Sequence, residues 1–155
     1  LKGKKDFIQK IDAHQGLINK VVFLYADNTE DKRDLKQEII AQAWGSFKSF
    51  RGDSKFSTWL YRVALNVAIA GIRKQKRKNS YEHTENQYVV PPHSNEKELL
   101  ETIIKVLNPI EKNMVLLMIE GYNNSEIADI IGISEGNVRV KIHRIRNKLK
   151  EYGIK

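Results

Sequence analysis

The sequence predicts an all-α protein. Two small helical domains are joined by a flexible linker, and the C-terminal domain contains a helix-turn-helix. Three observations lead there. Apolar residues recur at three- and four-residue steps in both halves, the spacing of a helix face. The stretch from Lys78 to Glu98 is polar, holds two of the three prolines and has no apolar period, as a linker does. Near the C-terminus, capping residues, a glycine and a basic helix follow at the spacing of two helices joined by a tight turn. The expected organisation is a domain over residues 1–78, a linker over 79–98 and a second domain over 99–155.

The elements follow in order. Phe7, Ile11, Ile18, Val22 and Tyr25 share one face and predict a single amphipathic helix. The run DNTEDKRD interrupts it and offers caps for a second helix beginning near Asp31 or Asp34. That helix carries Leu35, Ile39, Ala43 and Phe47 on its buried side and ends between Gly45 and Phe50. FRGDSKFS reads as a loop, with Gly52 as breaker and Asp53 or Ser54 as cap. A third helix runs from about Phe56 to about Lys76, with one apolar face of Phe56, Leu60, Val63, Val67 and Ala70 and another of Tyr61, Leu65, Ala68 and Ile72. After the linker, Leu99 to Leu107 is helical and stops at Asn108-Pro109. Another helix starts at Pro109, where proline suits a first turn, and runs to about Glu120. Gly121 breaks the chain, and two short helices follow.

Composition excludes several classes. The chain has 155 residues, no cysteine and a net charge of +8. Without cysteine there are no disulfides, thiolate metal sites or cysteine nucleophiles. No apolar run approaches the ~18 residues of a membrane span, so direct membrane insertion is not expected. No secretory leader pattern is visible, and the expected localisation is cytoplasmic. His14, His83, His93 and His143 are dispersed, so no metal site and no cofactor is expected. The charge itself is uneven: +9 over residues 1–78, −4 over 79–111 and +3 over 112–155. Two acid-free basic runs, Lys55 to Lys78 and Arg139 to Lys150, suggest a polyanion held at two places. Solvated helix faces are the competing explanation.

The most specific pattern is SEIADIIGISEGNVRVKIHRIRNKL. Ser125 can cap the first helix, Ala128 is small where helices approach, and Gly132 suits a left-handed turn residue. Ser134 can cap the second helix, with Glu135 at the positive end of its dipole. Val138, Ile142, Ile145 and Leu149 line one side of it. The other side holds Gly136, Val140, His143 and Asn147, flanked by Arg139 and Arg144. In a major groove, Arg139 and Arg144 can donate to guanine and Val140 can pack on a thymine methyl. Lys141, Arg146, Lys148 and Lys150 suit phosphates.

In the N-terminal half, a narrow stripe of Trp59, Arg62, Asn66, Arg73 and Arg77 separates the two apolar faces of the third helix. An indole beside cations can stack on an unpaired base; Trp59 can equally be a core aromatic. The second helix carries Asp34, Gln37, Glu38 and Ala41 on the side away from Ile39. This acidic stripe is a poor DNA face and suits a solvated surface or a positively charged protein partner.

These residues resemble a known family. DLKQEIIAQAWGSFKSFRGDSKFSTWLYRVALNVA resembles the second conserved domain of bacterial sigma factors of the extracytoplasmic-function (ECF, group 4, sigma-70) class. LNPIEKNMVLLMIEGYNNSEIADIIGISEGNVRVKIHRIRNKLK resembles their fourth domain. The resemblance implies a factor that binds core RNA polymerase, selects promoters and assists melting; it is not an enzyme. It places Asp34, Leu35, Gln37, Glu38 and Ala41 on the coiled coil of the polymerase beta-prime subunit, with the beta subunit as a further contact. The minus-10 element would be held by Phe50, Arg51, Gly52, Asp53, Ser54, Lys55, Phe56 and Ser57 of the loop, and by Trp59, Arg62, Asn66, Arg73 and Arg77 of the next helix. The minus-35 element would be read by Glu135, Arg139, Val140, Lys141, His143, Arg144 and Lys148. Family members are usually held inactive by an anti-sigma factor, so such a partner is expected. Two departures bear on base preference: Val140 stands where a small polar residue is common, and His143 where the family varies.

Two other classes compete. A self-sufficient dimeric helix-turn-helix regulator would bind palindromic sites without polymerase. A helical adaptor binding acidic proteins would lack the steep salt dependence of a DNA binder. The acidic DLKQE stripe and the Trp59 stripe count against the regulator.

Overall fold

The computed structural model describes residues 3–78 and 96–153; at 73, 75–78, 96, 97, 99 and 100 it describes the backbone alone. Of the expected linker over 79–98, residues 79–95 lie outside the described residues, and 96–98 are the first turn of a helix that starts earlier than the expected Leu99. The described residues form eight α-helices and a short 3-10 turn, with no strand, as the apolar periodicity predicts. They fall into two compact units, Leu1–Ser80 and Tyr81–Lys155.

The first unit contains α1 (Lys4–Ala13), α2 (Gln15–Tyr25), α3 (Thr29–Ser46) and α4 (Phe56–Lys78). Helices α2, α3 and α4 pack pairwise. Their core holds Ile18, Val21 and Val22 of α2, Ile39 and Ala43 of α3, and Leu60, Tyr61, Ala64, Leu65 and Ala68 of α4. Burial pushes the Tyr25 phenol up from its ordinary value, so its hydroxyl stays neutral.

Four details differ from the sequence reading. The expected single helix over Phe7 to Tyr25 is two helices broken at His14 (φ −119°, ψ 22°). The His14 amide turns to the Ile11 carbonyl at 3.0 Å, while its Nδ1 lies 2.7 Å from the Lys10 carbonyl. A carbonyl only accepts, so Nδ1 donates and replaces the backbone bond that a continuous helix would make. Helix α3 starts earlier than expected, because the Asn28 side chain caps it by accepting from the Asp31 amide at 2.8 Å. Helix α4 begins at Phe56, so Asp53 and Ser54 lie ahead of its cap position. Its buried face centres on Ala64, and Ala70 is exposed.

The second unit contains α5 (Glu96–Val106), α6 (Pro109–Ile119), α7 (Asn124–Ile131) and α8 (Glu135–Glu151). Asn108 caps α6 through a reciprocal pair with Glu111, each side chain accepting from the other's amide at 2.9 and 3.0 Å. Asn123 and Glu126 repeat the device at α7, so Asn123, not Ser125, is the cap. The asparagine amide and the glutamate three residues on satisfy both ends of the box, which Ser125, already inside the helix, cannot do. Met114, Leu117, Ile127, Ile130, Val138 and Ile145 fill the core among α6, α7 and α8. Helix α8 has 17 residues, longer than the short helix expected.

Candidate nucleic-acid interface

The turn between α7 and α8 is built as the sequence implied. Gly132 adopts the left-handed conformation (φ 83°), and its amide donates to the Ala128 carbonyl at 2.8 Å. The Ile133 amide reaches the same carbonyl at 3.2 Å. Both satisfy a helix end that would otherwise be orphaned. Ser134 Oγ then accepts from the Asn137 amide at 3.2 Å, and α8 begins. The turn sets α8 against α7 through Val138, Ile142 and Ile145, which are buried. The opposite side of α8 is thereby turned outward.

On that outward side Gly136, Arg139, Val140, His143, Arg144 and Asn147 are all exposed. Val140 keeps 48% of its surface, a large value for an apolar side chain. Exposed Glu135 pairs with Arg139 at 3.2 Å, and His143 Nε2 lies 3.2 Å from Asn147 Nδ2. Lys141 is half-buried on one flank. On the other flank a cleft of about 460 Å³ is lined by Met118, Tyr122, Asn124, Arg139, Ile142, His143 and Arg146. Tyr122 and Asn124 were not singled out from sequence. Their place beside α8 follows from the turn geometry, and the start of α7 next to a basic helix is the signal that marks them.

Lys148 stands apart from the other expected contacts. Its Nζ donates to Glu111 Oε2 at 3.1 Å, across 37 residues of chain, with both side chains part-buried. It ties α8 to the start of α6 rather than facing outward with Arg144.

In the first unit an aromatic cluster organises the loop. Phe47 is 1% exposed and lies near Phe7, Phe50, Phe56 and Trp59, at centroid distances of 5.2 to 6.4 Å. Phe50 and Phe56, at the two ends of the loop, are 5.7 Å apart in an edge-on arrangement. Trp59 is 5.4 Å from each of them. The rings pin the loop base, and Arg51, Gly52 (φ 79°), Asp53, Ser54 and Lys55 project from it, all exposed. Ser57 is half-buried. The loop residues thus divide: the aromatics hold it, and the polar tip is presented. Trp59 is a half-buried member of this cluster, not a free-standing ring; Arg62 and Asn66 are exposed further along α4. The side chains of Arg73 and Arg77 lie outside the described residues.

On α3, Asp34, Gln37, Glu38 and Ala41 are exposed together and Leu35 is half-buried at their edge. Among the described residues, no three His, Asp or Glu side chains gather as a metal site, and no helix is long and apolar enough to cross a membrane.

Comparison with known proteins bears on both units. The family model of sigma-70 region 2 matches residues 11–78, and that of sigma-70 region 4 matches residues 97–149. The chain is 28% identical to the ECF RNA polymerase sigma factor SigW of Bacillus subtilis, over 97% of this chain and 90% of that protein. It is 29% identical to the ECF RNA polymerase sigma-E factor of Haemophilus influenzae, over 95% of this chain and 87% of that one. In fold it is similar to the sigma factor RpoE of Bartonella quintana, solved in complex with the anti-sigma factor NepR. The TM-score is 0.75 at 21% identity, covering 95% of this chain and 96% of that one. CnrH, solved with the cytosolic domain of CnrY, is similar at a TM-score of 0.66 and 21% identity, over 97% of this chain and 88% of that one. With regions 2 and 4 both matched, in order, on the units that carry the acidic face and the helix-turn-helix, the chain belongs to the sigma-70 family, in its ECF class.

Proposed function

We propose that the chain binds core RNA polymerase, directs it to specific promoters and assists DNA melting at initiation. The observation that carries this reading is the pairing, in one chain, of an acidic exposed face on α3 with a capped helix-turn-helix whose outward side is basic. A DNA-binding regulator needs the second surface and has no use for the first.

Residues 1–78 form the polymerase-docking and minus-10 domain, 79–95 the linker and 96–155, from the start of α5, the minus-35 domain. Helix α8 enters the major groove, where Arg139 and Arg144 donate to purine edges and Val140 meets a thymine methyl. Glu135 accepts from a cytosine amine once its pair with Arg139 opens. Lys141 and the cleft cation Arg146 hold phosphates. The exposed loop tip, Arg51 to Lys55, captures an unstacked minus-10 base, and Trp59, Arg62 and Asn66 hold the melted strand beside it. The linker makes the second DNA contact intramolecular once polymerase fixes both sites. The chain carries out no chemistry; the polymerase does. Two solved relatives are held by NepR and CnrY. A protein inhibitor of this kind is the expected regulator here, and the cytoplasm is the expected place of action.

The test adds the protein to sigma-free core polymerase and fragmented genomic DNA and maps transcript starts. Protein-dependent starts sharing two upstream elements at fixed spacing are expected. Their absence, with the protein folded and no inhibitor present, overturns the reading.

A further inference from the structure

The break between α1 and α2 has a second partner. His14 ends α1 through its Nδ1, which donates to the Lys10 carbonyl at 2.7 Å. That bond needs only a short side chain with a donor, and asparagine can make it. The imidazole does more. Its centroid lies 4.9 Å from that of Phe56, with the two planes tilted by 59°. Lys10 reaches the same ring, its Nζ 5.7 Å from the centroid. Tilted ring pairs and a cation near a ring are both attractive arrangements. His14, Lys10 and Phe56 are all half-buried.

Phe56 is the first residue of α4 and closes the loop from its C-terminal end. It packs with Phe50 at 5.7 Å and with Trp59 at 5.4 Å. Helix α1 therefore meets the ring cluster at two places. Phe7 packs on Phe47 at 5.2 Å, and the α1–α2 junction packs on Phe56.

The second contact is not needed to hold α1. Phe7 and Ile11, 5% and 4% exposed, already bury one face of that helix. What His14 and Lys10 add is a constraint on the residue from which the exposed tip, Arg51 to Lys55, springs. Taking a base out of the stack costs unstacking energy. A receiving loop offsets that cost best when its own support holds it in place beforehand.

We propose that His14, with Lys10 beside it, is a positioning residue for base capture at the minus-10 element. It acts through Phe56 and touches no DNA itself. The imidazole joins two events in one side chain, the end of α1 and the setting of the loop base. This rests on the minus-10 role proposed above for the loop.

The experiment uses holoenzyme assembled from full-length chain and core polymerase. The template is a promoter from the start-site map with 2-aminopurine in its minus-10 element, whose fluorescence rises on unstacking. His14→Asn keeps a donor for the Lys10 carbonyl and loses the ring contact; His14→Phe keeps the ring and loses the donor. Asp53→Ala, at the loop tip, is the reference for the minus-10 reading. Affinity for core polymerase is recorded for each. Expected is at least a fivefold slower fluorescence rise for His14→Asn, recovery to within twofold of the unaltered chain in His14→Phe, and core affinity within twofold throughout. Equal slowing in both His14 variants, or loss of core affinity in step with the rate, makes His14 merely structural and overturns the proposal. If both His14 variants stay within twofold while Asp53→Ala slows the rise, the loop captures the base without His14 and the proposal is wrong. If Asp53→Ala is also within twofold, the minus-10 reading fails and the proposal with it.

Discussion

Glu111 is the residue whose replacement most directly tests how the second unit is held. Its carboxylate accepts from the Asn108 amide at 3.0 Å, closing the capping box of α6, and pairs with Lys148 of α8 at 3.1 Å. It also sits in the first turn of α6, where a negative charge meets the helix dipole. A hydrogen bond of this kind contributes about 0.5–1.5 kcal/mol. The dipole adds about 0.3–1 kcal/mol. The ion pair, with Lys148 35% and Glu111 19% exposed, is discounted to about 0.5 kcal/mol for solvent screening. Glu111→Ala should therefore cost about 1–3 kcal/mol in this unit. Glu111→Gln keeps the box, which accepts glutamine, but loses the charge, and should cost about 0.8–1.5 kcal/mol.

The assay is amide hydrogen exchange across α6 to α8 in the full-length chain, because the first unit then serves as an internal reference. One to three kcal/mol corresponds to a factor of about 5–150 in the open fraction. The alanine variant should show that acceleration in α6 and α8 and none in α2 to α4. The same geometry makes a second demand: with Lys148 turned to Glu111, Lys148→Ala should weaken promoter binding by holoenzyme far less than Arg144→Ala does. Exchange within twofold of the unaltered chain, or equal losses of promoter binding for the two cations, would show that Glu111 does not hold α6 and α8 in this way.

Three further outcomes are expected. Arg144→Ala should change minus-35 base preference by about 1–3 kcal/mol if the guanidinium bridges a guanine; selection on randomised promoters measures it, and a uniform loss on all sequences makes it a phosphate contact. Gly132→Ala places a Cβ at φ 83° and should destabilise the helix-turn-helix by about 1–2 kcal/mol, with Gly132→Asn less costly, as read by urea unfolding. Phe47→Ala empties the centre of the ring cluster and should cost about 3–5 kcal/mol, releasing the loop base, seen as faster exchange around Phe50 and Phe56.

Local features can be read along the chain. Ser134, Gly132 and Pro109 act within a few residues of where they stand, so their places at helix ends could be read directly. The same holds for the face of α8 carrying Val138, Ile142 and Ile145, because helical period alone fixes which residues are buried together. The acidic stripe of α3 was legible for the same reason, and the family resemblance rested on these local patterns.

Features that emerge only from packing involve partners far apart in the chain or choices between near-equivalent neighbours. Asn123 wins the cap over Ser125 because its box with Glu126 closes at both ends, a difference of two positions that periodicity does not resolve. His14 ends a helix through a bond between its own ring and the Lys10 carbonyl, which no apolar spacing encodes. Lys148 reads as one more cation of a basic helix until Glu111, 37 residues away, is brought to it. The aromatics at the base of the loop read as separate positions until Phe47 draws Phe50, Phe56 and Trp59 into one cluster. Periodicity ranks residues by the face they share on one element. Packing between elements decides which of them are left to meet a partner.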